Sequence, residues 1–222
     1  MIQDPTTLPQ ISNLPDPETL YKTCQSLAML DAILDPAGNF RYFGFDQYWD
    51  DQQAMAEMHD GDGSHYFIML SNMKEDAQPY AVGKLFAKSL TQTASAPYIT
   101  TIANNAPLQD FLVEEAFKHD EASLYFYQLA NENVWSVTPA IEDIPFLGFL
   151  AHQEAAYIPW ARDYYQPDFE PDSEITIDEQ IVADIFAYKP LNKEMVQRLN
   201  PLVNIDQLVD DILDIGYPVD MG

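Results

Sequence analysis

Five strand-like runs occur in this chain without the steady βαβ spacing that a parallel sheet requires, and this pattern constrains the fold more than any other feature. They are Phe40–Phe45, His65–Leu70, Tyr80–Lys88, Leu124–Leu129 and Val134–Thr138, all rich in aromatic or β-branched residues. A polar connection with Asn72, Glu75, Asp76 and Pro79 joins the second run to the third, and the last two flank Asn131-Glu132-Asn133. Both joins suit antiparallel hairpins. The expected class is α+β, with an antiparallel sheet of five or six strands and helices packed on it.

The clearest helical signal opens at Asp16-Pro17, an N-cap followed by proline at the first helical position. Leu20, Cys24, Leu27, Leu30 and Leu34 then fall close to one stripe, and Pro36 and Gly38 stop the helix. Shorter helical patterns are expected over Asp51–Met58, over Leu108–Lys118, and from Phe146 towards Ala156, where Pro159 limits the extension. Three more (Asp178–Phe186, Asn192–Leu199 and Ile205–Ile215) are separated by Pro190 and Pro201 and end at Gly216. The organisation read from this is an extended arm over 1–16, an α+β core domain over 17–162, and an acidic helical region over 163–222 packed on the core. A Ser/Thr/Ala/Asn-rich connector covers 89–106, and Asp168-Phe169-Glu170-Pro171-Asp172 precedes the last helices.

The charge is lopsided: 36 acidic residues against 10 basic ones, a formal net charge of -26. It is spread along the chain, with 11 acids and two bases in 1–62, 11 and five in 63–162, and 14 and three in 163–222. Phosphate backbones and anionic membranes attract Lys and Arg, so nucleic acid and membrane surfaces are excluded as expected partners. A basic protein partner would be steered in, with binding that weakens as salt rises. The N-terminus lacks a basic n-region and an apolar h-region, and no stretch approaches the roughly 18 apolar residues of a membrane span, so the expected location is cytoplasmic. The single cysteine, Cys24, reads as a small buried hydrophobe.

Two groups of residues are candidates for a site. Met58-His59-Asp60-Gly61-Asp62-Gly63-Ser64-His65 places two histidines and two aspartates within seven residues, so His59, Asp60, Asp62 and His65 could ligate a metal. The spacing is not that of an EF-hand, and Asp with Gly also makes an ordinary turn. The second group is the aromatic and charged run containing Arg41, Tyr42, Asp46 and Trp49, residue types that dominate interfaces; Asp60 and Asp62 join it as candidate binding residues. Arg41 either pairs with a carboxylate or orients an anionic ligand. No GxGxxG, Walker A or CxxC motif occurs, and no cofactor is expected.

The run Cys24–Ile33, then Arg41-Tyr42-Phe43-Gly44-Phe45, Trp49, Met55–Gly63, Tyr66-Phe67-Ile68 and Gly83-Lys84-Leu85-Phe86, resembles a family of uncharacterised bacterial proteins. The likeness covers under a third of the chain and implies no activity. Where that family is expected to carry Arg before the Gly-rich turn, this chain has His59. In general character the chain is also similar to immunity proteins of bacterial toxin systems, including the SMI1/KNR4 type, which are acidic cytosolic α+β proteins that bind a toxin domain. Three functions are compatible with these features: a non-catalytic protein-binding module of immunity type; a metal-dependent hydrolase at the His59–His65 loop; and a module that forms a homodimer through a sheet edge.

Overall fold

A computed structural model describes residues 11–71, 78–90, 106–140, 144–166 and 174–220, with side chains omitted at 106–108. Six strands form one sheet: β1 (Phe43–Asp46), β2 (Gln53–His59), β3 (His65–Ser71), β4 (Ala81–Phe86), β5 (Leu124–Gln128) and β6 (Ser136–Thr138). Every neighbouring pair is antiparallel, and the spatial order is the chain order. With α-helices on the sheet, the fold is α+β.

The helices are α1 (Pro17–Leu34), α2 (Ala106–Val113), α3 (Gly148–His152), α4 (Glu154–Tyr165), α5 (Glu179–Phe186), α6 (Lys193–Leu199) and α7 (Val209–Ile215). None among the described residues is long and apolar enough to cross a membrane. Asp16 caps α1 by accepting from Glu18 N and Thr19 N, both at 3.1 Å. The helix buries far more than one stripe: 15 of its 18 residues are buried. The sheet covers one side of α1, and α5 and α7 cover the other, so it is apolar nearly all round. Its few polar side chains serve the helices behind it. Gln25 Nε2 donates to Ile215 O at 2.7 Å, and Ser26 Oγ donates to Ile185 O at 3.0 Å, which satisfies carbonyls that helix ends leave open. One apolar cluster runs from α1 through the sheet to Ile185, Leu199 and Ile215.

Several local expectations are corrected. Asp51–Met58 is no helical turn: Gln53–His59 is the seven-residue strand β2. Its Ala, Met and Glu residues are helix formers, but pairing with β1 and β3 on both sides overrides that preference. Ala54, Ala56 and Met58 face α1, and Met55, Glu57 and His59 face the opposite side. The first strand begins at Phe43, because Phe40 is 68% exposed. The Leu108–Lys118 helix is shorter; α2 ends at Val113, and a 3-10 turn, Glu115–Phe117, follows. The expected Phe146–Ala156 helix is two helices broken at Gln153 (φ 47°), and α4 continues through Pro159 to Tyr165. Ile205–Ile215 is a 3-10 turn followed by α7. Most of the arm, the 91–105 connector, the Asn72–Asp76 connection and residues 167–173 lie outside the described residues.

The two open sides of the sheet differ. At β1, His59 N–H donates to Tyr42 O, so ladder alternation turns the amides of Phe43 and Phe45 outward. Asp31 Oδ2 accepts from Phe43 N, and Asp214 O accepts from Gln47 N, so α1 and α7 blunt this edge. At the other side, β6 has three residues and is soon followed by Pro139.

Candidate functional site: an acidic groove at the β1 edge

Gly44 faces away from α1 and has no side chain, so the β1 edge carries a notch, and the Glu57 side chain lies across it. A groove of about 540 Å³ opens there, lined by Arg41, Tyr42, Asp46, Glu57, Asp211 and Asp214 among others. Its back wall comes from Ala28 on α1 and Ile215 on α7. The groove holds four carboxylates against one guanidinium.

That guanidinium is already engaged. Arg41 Nη1 and Nη2 donate to the Asp211 carboxylate at 2.5 and 3.1 Å, and Nε donates to Asp35 O at 2.9 Å. This two-point grip fixes α7 against the segment entering β1. Arg41 is therefore a clamp, as the carboxylate-pairing alternative has it. Asp46 Oδ1 accepts from Tyr48 N at 2.7 Å, and the residue lines the groove. Tyr42 is buried among aromatic rings, 4.8 Å from Trp160 and 5.7 Å from Tyr164, so it lends the groove wall rigidity.

Trp49 belongs elsewhere. It stacks on Phe117 at 5.6 Å, on the sheet face turned away from α1 and outside the groove lining. There it borders a second hollow of about 450 Å³ with Asp50, Met69, Asp110, Val113 and Glu114. The structure thus gathers Arg41, Tyr42, Asp46 and His59 at one groove and separates them from Trp49.

The His59–His65 loop is divided as well. Asp60 Oδ1 accepts from Asp62 N at 2.9 Å and from Ser64 N at 2.8 Å, so its carboxylate builds the turn. Asp62 supplies a carbonyl to Lys88 Nζ. His59 and His65 are cross-strand partners with rings 5.8 Å apart, and His59 Nε2 lies 3.2 Å from Glu57 Oε2. Among the described residues, no three His, Cys, Asp or Glu side chains converge to hold a metal.

Glu57, Asp211 and Asp214 were not legible as site residues. They come together from β2 and α7 through tertiary packing, with no local motif to mark them. No family model, curated protein or solved structure matches this chain.

Proposed function

We propose that the protein is a non-catalytic binding module that meets a basic protein through its acidic surface, an immunity-type role, with the β1-edge groove at the contact. One observation carries this reading. Nine basic side chains lie among the described residues, and five of them (Lys22, Arg41, Arg162, Lys189 and Arg198) are paired with the chain's own carboxylates. Lys84 and Lys88 donate to backbone carbonyls. Seven of the nine cations are thus engaged within the chain, and most of the excess acid is exposed. Such a field raises the encounter rate with a cationic partner and repels phosphate.

The test is capture from an extract of the native host on immobilised protein, at low and at high salt. A basic protein retained at low salt and released at high salt supports the reading. Retention of nothing beyond the bare matrix at low salt rejects it.

A further inference from the structure

The sheet face opposite α1 carries an apolar cluster of its own, built from Met55, Phe67, Met69, Val82, Phe111, Phe117 and Tyr125. Residues 111–122 cover it like a strap. At its centre, in register between Phe67 and Tyr125, sits Lys84, which is 0% exposed. Lys84 Nζ donates to Lys118 O at 2.6 Å and lies 5.7 Å over the Phe67 ring. Lys118 has φ 48°, so the ammonium holds the strap where its chain reverses. His119 fastens the next point. Its Nε2 lies 2.7 Å from Phe111 O, which can only accept, so Nε2 carries the proton. Nδ1 of the neutral ring is then the acceptor for the Tyr125 hydroxyl at 3.2 Å. Beside them, His65 is 4% exposed, with Nδ1 3.3 Å from Gly63 O. Its Nε2 is buried with no hydrogen-bond partner among the described residues.

We propose that residues 111–122 are an acid-released strap, latched over the sheet by Lys84 and a neutral His119, and freed when His119 gains a proton. Two physical effects drive release. A protonated His119 must donate from Nδ1, so the buried Tyr125 hydroxyl becomes an acceptor and its own proton is left without one. The new imidazolium also stands near the buried Lys84 ammonium, a like charge.

The surrounding charges do not cancel this. Burial first, then Lys84, holds the His65 pKa below the ordinary histidine value; His59 adds to this, while Gly63 O and Glu121 (Oε2 at 3.9 Å) oppose it. Burial likewise comes first at His119, with Lys84 adding, against Phe111 O, Glu114 and Asp120. Lys84 itself faces Glu121, Asp120 and Lys118. A histidine lowered on folding stabilises the latched state at neutral pH, and that stability is lost as pH falls below the unfolded value of about 6.5. Because this cluster is separate from the main core, the strap can open while the rest of the fold holds.

Hydrogen–deuterium exchange of the intact protein, corrected for intrinsic rates, tests this at about pH 7.5 and about pH 5.5. Exchange over 111–122 is expected to rise about tenfold on acidification, with β2 and β3 unchanged, and His119→Gln is expected to abolish the rise. If His119→Gln does not fold, NMR titration of His119 in the wild type supplies the readout: its midpoint should coincide with the onset of strap exchange. No strap-specific rise, a uniform rise across the fold, or histidine titration without a change in exchange overturns the proposal.

Discussion

The Tyr157 hydroxyl donates to Asp31 Oδ1 at 3.0 Å, and both residues are fully buried. Asp31 Oδ2 accepts from Tyr42 N at 2.7 Å and Phe43 N at 2.9 Å. One carboxylate thus joins α1, α4 and the start of β1. Asp31→Ala would strand two amides and a hydroxyl in the core. The expected loss is about 3 kcal/mol, read by denaturant unfolding.

The same carboxylate makes stability depend on pH. Burial pushes its pKa up to about 7, against the pull of the two amides and Tyr157. The folded state therefore holds a proton that the unfolded state releases near its ordinary value of 3.8. This group's contribution is fully present below that value and falls as pH rises to about 7. Asp31→Asn should remove that fall. A stability profile for Asp31→Asn with the same slope between those limits as wild type would show that Asp31 is not its source.

Gly83 gives a packing prediction. A Cβ there would press into the Phe126 ring far inside van der Waals contact, in the sheet interior facing α1. Gly83→Ala should destabilise by about 1–3 kcal/mol, measured by thermal or denaturant melts. A neutral result would mean the ring can move aside.

Cys24 is buried in α1, and burial pushes its thiol pKa well above the ordinary value. A thiol reagent should fail to label it in the folded protein and should label it fully in denaturant. Rapid labelling under native conditions would place α1 at a surface.

The legible and illegible parts of this fold differ in physical origin. Asp16, Pro17, Pro36 and Gly38 mark the helix they bound locally, so α1 could be read directly. The strand β2 could not, because Ala54, Met55, Ala56 and Glu57 favour helix and only β1 and β3 impose the strand. Arg41, one of ten basic residues, marks an ion pair in the sequence, but its partner Asp211 lies 170 positions away. Lys84 and Asp31 are single polar residues inside apolar runs, and only their buried partners show what they hold.

The metal alternative has its own check. Asp60 serves the turn through Asp62 N and Ser64 N, so Asp60→Ala should cost about 1 kcal/mol of stability. Metal analysis of protein purified without chelator should give the same result for this variant and wild type. Stoichiometric metal lost on substitution would restore a metal role for the loop.

The proposed contact is between the acidic groove and a basic protein. Its most direct test is the affinity of a purified captured partner across a salt series, for wild type and for a variant carrying Asp46→Asn, Glu57→Gln and Asp214→Asn. Wild-type affinity should fall steeply with salt, and the variant should bind about tenfold or more weakly at low salt with a shallower slope. Equal affinity and equal salt dependence in the two proteins would contradict it.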